Sequence, residues 1–309
     1  MKRALPRNYY SRLHERLDPV ADQMEIVHNL ATREFPWDTL NSLSFALFRT
    51  YAVPSIGVLL HDTGEFTGRV QKRYDDTGIL LEEVLEHGFD DVRGRAAIRR
   101  INQMHHMYDI SNDDMLYVLA TFVVVPVRWL EDYGYRPMNA VELQASTDYY
   151  RQLGKHMNIQ DMPADYEGFA RLLDDYEAAH FAYDPRARKV ADATLDLMTT
   201  FPPNSWAPGW AAKRFAYCLM DEPLRRAFRF PNPTRVEQAL ARLAMRVRQA
   251  FLRRRPARRT KKWIRDFGYF RSYPGGYRVE DLGTFKPGCP YQGPVPVELP
   301  DAQPQHQPG

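Results

Sequence analysis

Apolar residues recur every three to four positions through most of this chain, and runs that alternate apolar with polar residues are scarce. That period predicts amphipathic helices over residues 19–33, 40–60, 70–88, 93–108, 113–133, 139–156, 166–180, 186–200 and 234–254. The second of these carries Phe45, Phe48 and Tyr51 and should break at Pro54. Short turns rich in Gly, Pro, Asn and Asp separate the segments, as at His87-Gly88, Tyr133-Gly134-Tyr135-Arg136-Pro137 and Phe201-Pro202-Pro203-Asn204. No internal repeat is visible. The expected fold is therefore all-α: a globular helical domain over 40–255, preceded by a helical segment (1–39) and followed by a basic, Pro- and Gly-rich extension (256–309). From Arg271 onward Gly, Pro and Tyr dominate, and the final residues read as disordered.

Composition narrows the class. With 309 residues, 44% hydrophobic and 26% charged, the chain can bury a sizeable core. A net charge of +3 does not by itself imply a nucleic-acid partner. The only cysteines, Cys218 and Cys289, exclude a disulfide framework and a cysteine-based metal site, and their scarcity fits a reducing, cytoplasmic setting. Met1-Lys2-Arg3-Ala4-Leu5-Pro6 leads into no apolar stretch, so no secretory signal is expected. The most hydrophobic run, 115–130, contains Pro126 and Arg128 and falls short of the roughly 20 apolar residues of a spanning helix. It reads as a buried core helix.

Candidate chemistry centres on Arg99-Arg100-Ile101-Asn102-Gln103-Met104-His105-His106-Met107-Tyr108. Ile98, Ile101, His105 and Tyr108 share one helix face, whereas His106 is turned about 100° away. An imidazole in an apolar wall needs a partner, because a buried unpaired nitrogen costs roughly 1–3 kcal/mol. A metal ion is one such partner; a backbone carbonyl or a carboxylate is the ordinary one. The next segment, Ser111-Asn112-Asp113-Asp114, has capping-box spacing and opens a helix that is apolar all round, a core element or a ligand wall. Upstream, Arg73 and Thr77 lie four apart on a face continued by Leu80, Leu81 and Val84, a setting that suits a small anionic ligand. The ordinary alternative is a surface arginine paired with Asp76 or Glu82.

These segments also carry a resemblance. His105 through Pro137, including Pro126-Val127-Arg128-Trp129 and Tyr133-Gly134-Tyr135-Arg136-Pro137, is similar to the catalytic domain shared by latex clearing proteins (rubber oxygenases) and mpaB-type oxygenases. The similarity continues at Glu142 and Ala145, Gly154-Lys155-His156-Met157-Asn158-Ile159, Met162-Pro163, Tyr176-Glu177, Phe181, Leu224-Arg225 and Ala227-Phe228, covering roughly residues 40–255. The resemblance implies a b-type haem held between core helices, with His105 as the ligand to iron. It further implies an Arg-x-x-Lys-Thr motif whose arginine and threonine are Arg73 and Thr77. The motif's lysine, which in latex clearing proteins can occupy the opposite face of the iron, is Asp76 here. That departure implies an open or water-filled distal side with room for dioxygen, where Arg73 and Thr77 hydrogen-bond to oxygen or to a haem propionate. The implied activity is a haem-dependent oxygenase acting with dioxygen on an apolar, isoprenoid- or lipid-like substrate.

Two other readings compete. Glu25-Ile26-Val27-His28 and Glu177-Ala178-Ala179-His180 have the Glu-x-x-His spacing of carboxylate di-iron bundles, with Glu83 or Glu142 to complete the set. A dense basic run from Arg246 to Arg265, followed by Phe267, Tyr269 and Phe270, suits a non-enzymatic membrane-surface protein. The same run, 246–270, would give an oxygenase peripheral contact with a membrane; nucleic acid is not an expected partner.

Overall fold

Every helix expected from the apolar period forms in the computed structural model, which describes residues 4–285. The helices are α1 (Tyr9–His14), α2 (Gln23–Asn29, continued by a π-helical turn, Leu30–Glu34), α3 (Pro36–Thr50), α4 (Pro54–Asp62), α5 (Glu65–Gly68), α6 (Val70–His87) and α7 (Val92–His105). They continue with α8 (Asn112–Tyr133), α9 (Ala140–His156), α10 (Tyr166–His180), α11 (Pro185–Thr199), α12 (Gly209–Leu219), α13 (Glu222–Phe228) and α14 (Arg235–Arg254). No strand forms among the described residues. Helices α1, α5, α12 and α13 lie outside the expected segments; α1, α5 and α13 span too few turns for a period to reveal them, whereas α12, three turns long, went unread.

Local chemistry sets the boundaries. The break expected at Pro54 falls ahead of it: α3 ends at Thr50, and Pro54 opens α4, where its missing N–H costs nothing. The two helices bend by 96° there. Ser111 caps α8 by accepting from the Asp114 amide at 3.1 Å, but the expected reciprocal bond is absent. The Asp114 carboxylate instead accepts from Ser55 and Tyr176, each at 2.9 Å. A complete capping box does form at α9, between Asn139 and Glu142.

Helix α8 is the spine, packed against α3, α9 and α10, which explains its all-round apolarity. Helix α6 packs on α7, α2 on α9, and α4 on α11. The α4–α11 crossing is close because Gly57 has no Cβ; one there would lie 2.3 Å from the Tyr51 carbonyl oxygen and 2.6 Å from Ala187 Cβ. Among the described residues no single helix is long and apolar enough to cross a membrane.

Residues 256–285 fold back across α6 and α7 as a strap. The backbone amides of Arg271 and Ser272 donate to Asp75 at 2.9 and 2.8 Å, Arg265 pairs with Glu82 and Glu86, and Tyr277 donates to Glu83 at 2.7 Å. Arg100 donates to the carbonyls of Leu282 and Thr284, and Leu282 is fully buried. The strap thus satisfies buried carboxylates on α6 that would otherwise be stranded. The final residues expected to be disordered, and Cys289, lie outside the described residues.

Candidate active site

A cavity of about 290 Å³ opens between α3, α4, α6, α7 and α8, near the lower end of the ~300–1,000 Å³ typical of ligand sites. Its walls are mostly aliphatic: Leu43 and Leu47 of α3, Ile56 and Leu59 of α4, Leu81 of α6, and Met115, Val118 and Phe122 of α8. Ile264 and Phe270 of the strap close one side. Phe270 lies against α6 at Gly78, where a Cβ would be 2.5 Å from its ring.

Three polar residues singled out from sequence, Arg73, Thr77 and His105, all line this cavity. Helix α7 ends at His105, two residues before Met107, and His106 is its C-cap. A tight turn follows, with the Tyr108 amide donating to the His105 carbonyl at 3.1 Å. The expected face nevertheless survives: Ile101, His105 and Tyr108 line the cavity, Ile98 is buried, and His106 is exposed.

His105 Nδ1 is shut away from solvent and has no hydrogen-bond partner among the described residues. Burial, followed by the nearby charges of Arg73 and His106, holds the imidazole down to about 4, so it is neutral at pH 7 with a lone pair to offer. Arg73 donates to the Thr77 hydroxyl, which donates in turn to the Arg73 carbonyl at 2.9 Å, and its guanidinium lies 5.3 Å from the Phe66 ring centre. The carboxylates that were its ordinary candidates are taken. Asp76 accepts from Lys72 at 2.7 Å and from Tyr273, and Glu82 is held by Arg265. Asp76 is buried towards the strap and does not line the cavity.

The carboxylate di-iron set is not assembled. Glu25 and His180 are exposed, His28 is bonded to the Leu85 carbonyl, Glu177 is paired with Arg49, and Glu83 is paired with Arg93. Glu83, Glu142 and Glu177 each already face a guanidinium. Among the described residues the structure does gather one buried histidine–carboxylate trio, His14, Glu34 and Glu142. Arg136 bridges its two carboxylates at 2.7 Å each, filling the position where a cation would neutralise them. Sequence reasoning missed His14 and Glu34 here, since neither belongs to a patterned segment. It also missed the strap's part in the cavity wall, for which no periodic signal exists.

An all-helical domain enclosing an apolar cavity, whose polar lining includes a neutral histidine and an arginine–threonine pair, is a helical domain with room for a ligand. The family model for the catalytic domain of ER-bound oxygenase mpaB/B' and rubber oxygenase matches residues 39–250, and the chain belongs to that family. The chain is 32% identical over 251 residues to ER-bound oxygenase mpaB' of Penicillium brevicompactum, covering 74% of this chain and 59% of that protein. ER-bound oxygenase mpaB of the same organism is 31% identical over 227 residues, 67% of this chain and 58% of that protein. A third relative, ER-bound oxygenase mpaB of Penicillium roqueforti, is 28% identical over 243 residues, 72% and 81% of the two chains. The chain thus spans less than two thirds of the length of the first two relatives.

Proposed function

We propose that this protein is a haem-b-dependent oxygenase that acts with dioxygen on an apolar, isoprenoid- or lipid-like substrate, and that His105 is its iron ligand. The observation that carries the reading is the unpartnered, buried Nδ1 of a neutral imidazole in the cavity wall. A neutral imidazole that makes no hydrogen bond in an apolar wall is costly to hold there, and coordination of a metal at its accessible nitrogen offsets that cost. Family membership and the relatives' description as oxygenases support the activity. Bound haem would supply redox-active iron for dioxygen chemistry.

The chain's own residues do the rest. His105 stays neutral through the physiological range, so no proton competes for its lone pair. Arg73 presents to the cavity a guanidinium that no carboxylate pairs with among the described residues, fixed by Thr77, and can hold a carboxylate or an oxygen-centred charge. Asp76 is drawn off by Lys72 and Tyr273, leaving that side of the cavity without a competing side chain from this position. The aliphatic walls exclude water and orient an apolar substrate by shape. A substrate of this kind partitions into lipid, which accords with a cytoplasmic protein peripheral to a membrane.

The test is the absorption spectrum of the full chain after haem reconstitution, for wild type, His105→Ala and His106→Ala. Wild type and His106→Ala should give the same Soret band, and His105→Ala should lose it while keeping its helical circular dichroism. A wild type without a Soret band, or loss in His106→Ala alone, refutes the assignment.

A further inference from the structure

Helix α14 is apolar on two opposite faces. Ala241 and Met245 point inward and are buried. Val236, Leu240, Leu243, Val247 and Phe251, spaced four, three, four and four residues apart, form a continuous outward stripe, each between 57% and 68% exposed. Isolated exposed aliphatic residues need no explanation, but a contiguous row along about four turns marks a surface that is covered in use. Trp206 and Trp210, at the entry to the helix on which α14 packs, are 83% and 72% exposed. Tryptophan is the side chain most at home where an apolar phase meets water.

The charge beside the stripe selects the occupant. Arg235, Arg242 and Arg246 line one flank at helical spacing, all exposed, and no carboxylate pairs with them among the described residues. The helix's one acid, Glu237, is neutralised by Arg214. A second copy of the chain laid antiparallel on this face would bring the two arginine rows together, like charge against like. An anionic bilayer surface meets both features at once, taking the stripe into its acyl boundary and the guanidiniums at its headgroups. The basic run expected to make such contact, 246–270, is instead divided. Arg248 pairs with Asp38, Arg253 donates to the Tyr135 carbonyl, Arg265 holds Glu82, and Tyr269 is buried in the strap.

We propose that the outward face of α14, from Val236 to Phe251, docks the protein onto a membrane surface rich in anionic lipid. This deepens the membrane-peripheral reading and does not depend on the cavity's cofactor, so vesicle binding and the haem spectrum are measured on the same preparation. The full chain is co-sedimented with vesicles of phosphatidylcholine alone and of phosphatidylcholine with phosphatidylserine, at low and high salt. Wild type should bind the anionic vesicles and be released by salt. The triple variant Leu240→Gln, Leu243→Gln, Val247→Gln should bind at least about tenfold less well, with unchanged circular dichroism because all three positions are exposed. Arg242→Gln with Arg246→Gln should lose about fivefold per arginine on anionic vesicles only. Absence of wild-type binding to anionic vesicles overturns the proposal, even if the Soret band is normal. So does a wild-type dimer in sedimentation equilibrium that the triple variant dissociates, which would identify the occupant as a second copy.

Discussion

Replacing Glu142 with glutamine should cost this protein about 3 kcal/mol at pH 7, and the cost should shrink in acid. Glu142 is wholly buried at the start of α9, accepting from His14 Nδ1 at 2.8 Å, from Arg136 at 2.7 Å through each carboxylate oxygen, and from the Asn139 amide at 2.9 Å. Burial alone would push the carboxyl up; the hydrogen bonds from His14 and Arg136, and the charge of Arg136, bring it down from 4.5 to about 2. A depression of that size corresponds to about 3 kcal/mol of stability. Removing one partner of a buried ion pair by mutation costs a similar amount, roughly 3–5 kcal/mol. Because the folded-state value lies below the unfolded one, this stability is fully present above pH 4.5 and is lost as pH falls towards 2. Glutamine keeps the shape and the cap to Asn139, but it turns an amide N–H₂ towards Arg136 and His14, donors that it cannot satisfy. Urea unfolding of wild type and Glu142→Gln at pH 7 and pH 3 measures the difference, provided the transition slopes match. The gap should fall to less than half between the two. A gap below about 1 kcal/mol at pH 7, or an equal gap at both pH values, would refute the ion-pair account of this cluster.

Gly57→Ala should destabilise by about 1–3 kcal/mol, since its Cβ would meet a backbone oxygen and Ala187 at the α4–α11 crossing; Gly68→Ala, with nothing within 4 Å, should be neutral or slightly stabilising by thermal melting. Given bound haem, the ferric protein should take up azide or imidazole readily, because Asp76 is engaged with Lys72 and Tyr273; a low-spin spectrum indifferent to both ligands would show another side chain in that position. Arg73→Leu should weaken azide about tenfold or more while changing neutral imidazole far less. An equal effect on both ligands would remove Arg73 as the group that recognises negative charge in the cavity.

Much of the helical frame was legible in the chain because amphipathic helices write their buried face into a local period. Pro54, Pro126 and the Ser111 cap are similarly local, although Pro126 is simply absorbed within α8, Pro54 starts a helix rather than ending one, and Ser111 caps without the reciprocal bond from Asp114. The same period placed Ile101, His105 and Tyr108 on one face and His106 off it, and that survives even though α7 stops at His105. What the period could not express is which partner each buried charge meets. Asp76 belongs to Lys72 and Tyr273, Glu82 to Arg265, Glu177 to Arg49, and His14 to a carboxylate 128 positions away. Apart from Lys72–Asp76, one helical turn apart, those choices are made between side chains distant in sequence, where desolvation forces every buried charge to find a donor or acceptor, whichever segment supplies it. The strap follows the same logic: its amides and tyrosines answer carboxylates on α6, and no repeat along the chain announces that. Sequence by itself determined the long helices and the face that carries His105; the cavity, the freeing of Arg73 from the described carboxylates and the outward apolar face of α14 were decided only when the helices packed, because each depends on what the other elements cover.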